Sequence, residues 1–428
     1  MQHFDLIIAG GGSIGSSLAL ALSQQAGLKI AIVEAQALPD SAQSACSHPG
    51  FDAKVVALAK HSADILQQFG LADLSDICTA IKHIHVSDQG HIGQCQLHCS
   101  DYQLPALGYV VQLQQLGQAL RSALDRNCSA LDRNCSALDK NDGHGLSWFC
   151  PDQVAAVTQH QDHIALTLAS GNALRAKLLV VAEGGNSPTR ELLNITTELV
   201  PYEQHALVAN VMTDKAHHHW AYERFTAQGP LAVLPLPGNG KASGCCSSIV
   251  WTMTADKQQV MMEVSDAAFM AQLQQAFGYR LGNIISVGQR HAYPLQLVKS
   301  SSNISHRAVV IGNAAQSLHP IAGQGLNLGL RDVEALSHCI QHALAQGADL
   351  GEHALLRTYQ SLRAEDQRNT IALTDGLVKV FSNNYGAMVA GRNLGLVAMN
   401  LLSPLKARLA KQAMGLLPPL AQHKLECN

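Results

Sequence analysis

The sequence is poor in charged and aromatic residues. Of its 428 residues, 14% are charged and 4% are aromatic, whereas 47% are hydrophobic. This composition excludes an intrinsically disordered chain, which combines low hydrophobicity with high net charge. No stretch reaches the roughly 18 consecutive apolar residues that a membrane-spanning helix needs, so a transmembrane helix is excluded as well.

The sequence also lacks a surplus of positive charge and a disulfide or zinc pattern. The 29 Lys and Arg residues are balanced by 32 Asp and Glu residues, so nucleic acid is not expected as a partner. The eleven cysteines are odd in number and scattered, and paired CxxC motifs are missing, so we predict neither disulfides nor a metal site. The N-terminal residues show no signal-peptide features, and we expect a reducing, cytoplasmic location.

What the sequence does contain is a dinucleotide-binding pattern near its start. Two apolar runs of strand length flank a helical pattern that begins with GGGSIG at residues 10–15. In such a βαβ unit Gly10 makes the tight turn, Gly12 lets a pyrophosphate approach the backbone, and Gly15 lets helix and strand pack closely. Glu34 ends the second run, where a carboxylate accepts both hydroxyls of an adenosine ribose and disfavours a 2′-phosphate.

Two further glycine-rich segments each come directly after an apolar run that is typical of a buried strand. Residues 182–190 read AEGGNSPTR, and residues 312–332 read GNAAQSLHPIAGQGLNLGLRD. Gly325 and Gly329 fall in a helical pattern, where each weakens the helix by roughly 1 kcal/mol relative to alanine. The bare N–H groups of such a helix start suit an acceptor that becomes negative during reaction, such as the edge of a reduced flavin. An ordinary strand–loop–helix connection is the alternative.

The pattern changes in the middle of the chain. Alternating stretches between residues 195 and 290 predict an antiparallel sheet, and strand, glycine-rich loop and helix return afterwards. We therefore predict an α/β fold, in which a Rossmann-like nucleotide-binding domain is interrupted by a mainly antiparallel β substrate domain and followed by a C-terminal helical region. The expected boundaries are 1–190 for the first part of the nucleotide-binding domain (with about 80–105 joining the substrate domain), 191–290 for the substrate domain, 291–350 for the closing part and 351–428 for the helical region.

The three glycine-rich motifs together resemble a known family. GGGSIG with Glu34, AEGGNSPTR and GNAAQSLHPIAGQGLNLGLRD resemble the FAD-dependent aromatic hydroxylases with the para-hydroxybenzoate hydroxylase fold, and among them the ubiquinone-biosynthesis hydroxylases. Residues 49–59 and 225–236 are similar more narrowly to the bacterial hydroxylases of octaprenylated methoxyphenols. The likeness extends to about residue 415, and only residues 125–147, which overlap a tandem heptad duplication, differ.

The resemblance implies an NAD(P)H- and FAD-dependent monooxygenase. NAD(P)H would reduce the FAD, O2 would add to it as a flavin hydroperoxide, and a polyprenylated phenol of ubiquinone biosynthesis would be hydroxylated. The single GxGxxG motif is compatible with transient NAD(P)H binding. Other ubiquinone-biosynthesis proteins are implied as partners.

The same resemblance implies which residues hold FAD. They are Gly10, Gly12, Gly15, Glu34, Lys54, Gln112, Glu183, Asn313, Pro320, Gly323, Gln324 and Gly325. Lys54 stands where the family often has an arginine, so the charge is kept without the bidentate geometry. Glu183 and Asn313 replace the usual aspartates, and Asn313 can still accept a hydrogen bond from a ribityl hydroxyl.

A phenol reacts faster once its hydroxyl is deprotonated, so a general base is expected. His319 is the only titratable side chain in the GNAAQSLHPIAGQG string, and we predict this role for it, with a histidine bonded to the loop backbone as the alternative. Phe225, Leu234 and Pro235 are predicted to lie on the sheet that faces the flavin, with ordinary sheet core as the alternative.

The C-terminal region combines an apolar stretch at residues 394–402 with basic residues just beyond it, at Lys406, Arg408 and Lys411. An apolar face flanked by cations suits a membrane interface, so peripheral contact with the inner face of the cytoplasmic membrane is predicted. A helical cap packed on the domain interface is the alternative.

Two other function classes are compatible with parts of the pattern. An FAD-dependent oxidase or dehydrogenase of a small amine or hydroxy acid would share the first βαβ unit. A non-catalytic binding protein could be built on the same fold.

Overall fold

The computed structural model describes residues 1–25, 27–37, 55–71, 74–134, 145–238, 244–317, 324–381 and 386–416. Four of the predicted site residues, Lys54, His319, Pro320 and Gly323, lie outside these ranges. The strands are β1 Gln2–Ala9, β2 Lys29–Val33, β3 Val55–Ala59, β4 Cys78–Ile81, β5 His83–Asp88, β6 Gln94–His98, β7 Gly108–Gln112, β8 Gly145–Phe149, β9 Val154–Gln159, β10 Ile164–Leu168, β11 Ala173–Val181, β12 Thr197–Thr213, β13 Trp220–Phe225, β14 Pro230–Pro235, β15 Cys246–Thr254, β16 Ile284–Val287, β17 His291–Ser300, β18 Ile304–Ser305, β19 Ala308–Val310 and β20 Gln316–Ser317. The α-helices are α1 Ser13–Leu22, α2 Lys60–Gln68, α3 Leu113–Asn134, α4 Pro188–Leu192, α5 Ala255–Glu263, α6 Asp266–Phe277, α7 Gln324–Ala345, α8 His353–Phe381, α9 Gly386–Leu401 and α10 Ser403–Ala413.

The first sheet has a parallel centre covered on both faces. β1 pairs with β2 and β11, β2 pairs with β8, and β11 pairs with β19, all in parallel. These strands have continuous aliphatic runs because both sides of the sheet are buried. Ile8 and Val180 pack into the core formed with α1 and α7, whereas Ile7 and Val181 pack into the core on the other face.

The second sheet is mainly antiparallel and contains nine of the described strands, in the order β20-β17-β12-β15-β14-β13-β5-β6 with β16 beside β12. Its outer face packs on α5 and α6, where Tyr222 and Trp251 share a core with Phe269 and Phe277. Its inner face meets a small sheet of β3, β7 and β4. The second sheet therefore has one face on helices and one face toward the nucleotide-binding domain.

The predicted α/β class, with an interrupted nucleotide-binding domain, a β substrate domain and C-terminal helices, is confirmed. The second sheet extends past the boundary predicted at residue 290, because β17 and β20 belong to it. β17 pairs with β12 from Ser300 opposite Thr197 to His291 opposite Val208, and these long-range hydrogen bonds carry the sheet past that boundary. β5 and β6, which fall within residues 80–105, also lie in the second sheet.

The C-terminal helices α9 and α10 pack against the β5–β6 hairpin. Leu396, Ala410 and Met414 share a buried core with Leu97 and Phe225. A buried ion pair joins Arg392 Nε to Asp88 Oδ2 at 2.8 Å. This face of α9 is therefore packed on the second sheet. Within the described ranges, no helix combines the length and apolar character that crossing a membrane would require.

The heptad duplication lies on α3 as far as the structure describes it. The helix contains the first copy and residues 129–134 of the second, and Leu124 of the first copy is fully buried. The third copy begins at residue 136, outside the described residues.

Candidate functional site

The GGGSIG turn is shaped by three glycines in different surroundings. Gly10 has a φ of +105°, and a Cβ at Gly15 would lie 1.9 Å from the Gly10 carbonyl oxygen. Gly12 has no heavy atom within 4 Å of the position of its missing Cβ, and α1 begins there without a side-chain cap. The unpaired N–H groups of this helix start face an open cradle, and such a cradle suits a pyrophosphate.

Glu34 lies beside this turn, directly after β2. Its Oε2 accepts a hydrogen bond from the Gly11 N–H at 2.7 Å, and its Oε1 accepts one from the Gln36 N–H at 2.9 Å. A carboxylate has further acceptor positions, so Glu34 can also receive the hydroxyls of a ribose. Its place at the carboxyl end of a parallel strand is where doubly wound folds bind nucleotides.

The AEGGNSPTR loop follows β11 and is organised by Glu183. This carboxylate accepts hydrogen bonds from Ser187 Oγ at 2.6 Å, from the Thr189 N–H at 3.1 Å and from Thr189 Oγ1 at 2.6 Å. Arg190 is buried and donates to the carbonyls of Gly185 at 3.0 Å and Ala314 at 2.9 Å. Glu183 therefore shapes this loop, and Arg190 joins it to the loop after β19.

The loop after β19 is held by a buried ion-pair network. The Gly312 N–H donates to Asp332 Oδ2 at 3.1 Å, and Arg363 Nε donates to Asp332 Oδ1 at 2.7 Å. Asp366 accepts from both Arg331 and Arg363. Although burial alone would raise it, these guanidinium groups hold the pKa of Asp366 below its usual value. Helices α7 and α8 thus fix the backbone of Gly312 through Asp332 and Arg363. Gly312 has a φ of +62°.

Two glycines of α7 allow this helix to pack closely against the turn after β1 and the loop after β19. A Cβ at Gly329 would lie 2.6 Å from Ile14 Cδ1, and a Cβ at Gly325 would lie 3.2 Å from Asn313 Oδ1. Asn313 itself is exposed. The loops after β1, β2, β11 and β19 leave one edge of the parallel sheet, so Gly10, Gly12, Gly15, Glu34, Glu183 and Asn313 gather along that edge.

The buried amide of Asn327 joins α7 to the small sheet. Asn327 Nδ2 donates to the Ala57 carbonyl at 2.9 Å, and its Oδ1 accepts from the Ala59 N–H at 2.8 Å. Gln112 ends β7 and Gln324 begins α7, and both are buried. These contacts fix the start of α7 against β3.

On the substrate side, Phe225 and Leu234 lie on the inner face of the second sheet. Phe225 packs with Leu97 and Leu396, and Leu234 packs against the cluster of Val110 and the small sheet. Pro235 directly follows Leu234, and adjacent strand residues point to opposite faces. Pro235 therefore lies on the opposite face from Leu234, and the substrate role of Phe225, Leu234 and Pro235 stays a prediction.

Comparison with known proteins shows the family of this chain. Residues 3–374 match the model of a family described as FAD binding domain. The chain belongs to this FAD-binding family. The flavoprotein is 33% identical to ubiquinone hydroxylase UbiL of Rhodospirillum rubrum over 96% of this chain and 90% of that protein. It is 29% identical to 3-demethoxyubiquinol 3-hydroxylase of Escherichia coli over 97% of this chain and 99% of that protein.

A solved structure shares the fold. The crystal structure of p-nitrophenol 4-monooxygenase PnpA from Pseudomonas putida superposes with a TM-score of 0.73 at 16% identity, and 97% of this chain and 99% of that chain are covered. This likeness shows the fold. The family match and the two hydroxylases above confirm the resemblance, and the flavoprotein belongs among the FAD-dependent monooxygenases. The open cradle at Gly12 and the acceptor at Glu34 fit the ADP half of FAD.

The sequence patterns did not indicate the buried charged residues that fix the loop after β19. Arg331 and Asp332 are adjacent charges within a mainly apolar part of α7 that also contains Glu334, and this could have indicated a buried ion pair. Their partners Arg363 and Asp366 lie on another helix, and no sequence pattern connects them.

Replacing Glu34 by glutamine is expected to raise the dissociation constant for FAD by about ten- to a hundredfold, because hydrogen bonds to a charged group contribute about 1.5–3 kcal/mol. Equilibrium titration of the apoprotein, followed by flavin fluorescence, measures the change. E191Q, at an exposed glutamate of α4, is the matched control and should bind FAD normally. Equal affinity of E34Q and E191Q would contradict the role of Glu34.

Proposed function

We propose that this flavoprotein is a monooxygenase that uses NAD(P)H and O2 to hydroxylate the ring of a polyprenylated phenol in ubiquinone biosynthesis. Similarity to a protein named ubiquinone hydroxylase, over 96% of the chain, carries this proposal. FAD, when bound, supplies the activation of O2 after reduction. The chain itself binds the cofactor, orients the phenol and excludes water.

The two sheets have different roles in the proposed reaction. The loops at the edge of the first sheet hold the cofactor, and the inner face of the second sheet covers the reaction space with aliphatic residues such as Leu234 and Ala232. Such a surface suits a substrate with a long hydrocarbon chain. His319 stays a prediction for the proton acceptor, since it lies outside the described residues.

A visible spectrum of the purified protein with additions of NADH and NADPH tests the proposal. We expect flavin absorbance that either nucleotide bleaches and air restores, and hydroxylated product from a 2-prenylphenol by mass spectrometry. Bleaching by a small amine or hydroxy acid, but by neither nucleotide, would favour an oxidase or dehydrogenase instead. A colourless protein that takes up no added FAD would favour a binding protein.

We also propose that α9 and α10 contact the membrane in which a polyprenylated substrate resides, and that other ubiquinone-biosynthesis proteins are partners there. Leu394 and Leu401 are exposed on a side of α9 other than the one that packs on β6, and Leu402, directly after the helix, is exposed as well. Arg408 and Lys411 are exposed beyond them. Exposed apolar residues beside cations favour binding to anionic lipid.

Replacing Leu394, Leu401 and Leu402 together by serine is expected to reduce flotation with anionic liposomes at least severalfold, because the inserting apolar area is lost. Sucrose-gradient flotation measures it. A variant with serine at Tyr279 and Ile285, which are exposed elsewhere, is the control. Equal flotation of wild type and the triple variant would refute the membrane contact.

A further inference from the structure

Glu223 is a carboxyl group on the inner face of the second sheet. Residues two apart on a strand share a face, and Glu223 lies between Ala221 and Phe225 on β13. Ala221 packs with Ile81 and Val110, and Phe225 packs with Leu97. The Glu223 side chain is therefore directed to the same side as these inner-face residues.

The charged groups near it face elsewhere or are already paired. Arg224 points to the outer face, where its Nε donates to the Ala276 carbonyl at 2.9 Å. Asp88 is paired with Arg392. The residues opposite Glu223 in the sheet are Ala232 and Val86, both apolar. Glu223 is thus a carboxyl group with aliphatic neighbours across both strand pairings.

An unpaired carboxylate in apolar surroundings is costly for folding, and such groups occur mostly where a function requires them. Burial raises the pKa of Glu223 to about 7, and no charged or hydrogen-bonding side chain among the described residues offsets that rise. The residue is nevertheless partly exposed, so its carboxyl group is not sealed off from a bound molecule. A carboxyl group with these properties can exchange a proton near neutral pH.

We propose that Glu223 is the catalytic base that accepts the proton of the substrate's phenolic hydroxyl. This inference rests on the proposed function. The phenolic O–H bond breaks, its electron pair stays on the phenolate oxygen, and the proton forms an O–H bond on the carboxylate. The ring becomes more electron-rich, and Glu223 returns the proton to water after product release. No electron is transferred in this step.

The E223Q variant tests the proposal, because glutamine keeps the shape but removes the basic oxygen. We expect product formation from a 2-prenylphenol to fall about 10²- to 10⁴-fold, the range of general base catalysis, with unchanged FAD content and substrate-free reduction by NAD(P)H. Wild-type hydroxylation should decline as the pH falls below about 7, where the base becomes protonated, and E223Q should lack this limb. E223D should restore part of the rate together with the limb.

Two further variants and one stability measurement distinguish a catalytic role of Glu223 from a structural one. E198Q, at an exposed glutamate of the same sheet, should behave as wild type. E223Q should unfold at an equal or higher temperature than wild type at pH 8, because it removes a poorly solvated charge. H319Q separates the two candidate bases: a limb that H319Q loses and E223Q keeps would overturn the proposal, as would full turnover by E223Q. Failure of the wild type to form product would instead refute the proposed function.

Discussion

Alanine at Gly15 is expected to destabilise the protein even without its cofactor. The new Cβ would lie 1.9 Å from the Gly10 carbonyl oxygen, so α1 would have to move away from the turn. Overpacking of this kind costs about 1–3 kcal/mol or more. Urea unfolding of the apoprotein should show the loss, and the purified variant should contain little FAD.

Alanine at Gly12 is the matched comparison for this prediction. Its Cβ meets no protein atom within 4 Å, and its backbone conformation, with a φ of −68°, is open to any residue. The G12A apoprotein should therefore unfold at the wild-type urea concentration, whereas its FAD affinity should fall at least tenfold because the methyl group occupies the cradle. Unchanged FAD affinity would show that the cofactor phosphates lie elsewhere.

Replacing Arg363 by methionine is expected to lower the free energy of unfolding by about 3–5 kcal/mol, as removing one partner of a buried ion pair does. Asp332 is fully buried and would keep Gln367 and the Gly312 N–H as donors but lose its cation. Loosening of Gly312 should also reduce FAD content. Urea unfolding at pH 7 measures the effect.

Arg363 and Arg331 also hold the pKa of Asp366 below its usual value, although burial alone would raise it. R363M removes one of these guanidinium groups, so its stability deficit should shrink as the pH falls below about 4, where aspartate becomes protonated. K406M, which breaks the more exposed pair of Lys406 and Asp101, should cost less than about 1 kcal/mol. Similar losses in R363M and K406M would contradict a structural role for the network.

The candidate FAD-binding motifs could be predicted from the sequence because each one is a short run of consecutive residues. GGGSIG, Glu34 and the later glycine-rich loops follow strands whose order in the sheet places their ends along one edge. The arrangement of the substrate-side sheet could not be predicted in this way, because it depends on which strands pair with one another. β17 joins the second sheet beyond residue 290, and the face of Pro235 depends on strand register.

The sequence by itself determined the class of fold, the dinucleotide turn and the family, since each depends on residue types at short, fixed spacing. Only the tertiary structure decided which side chains lie behind and opposite that turn. Arg363 and Asp332 are 31 residues apart, and Glu223 is isolated among apolar residues only once β5 and β14 flank its strand. Desolvation arises from neighbours that are distant in sequence, so the carboxyl group we assign as the base is recognisable only in the folded chain.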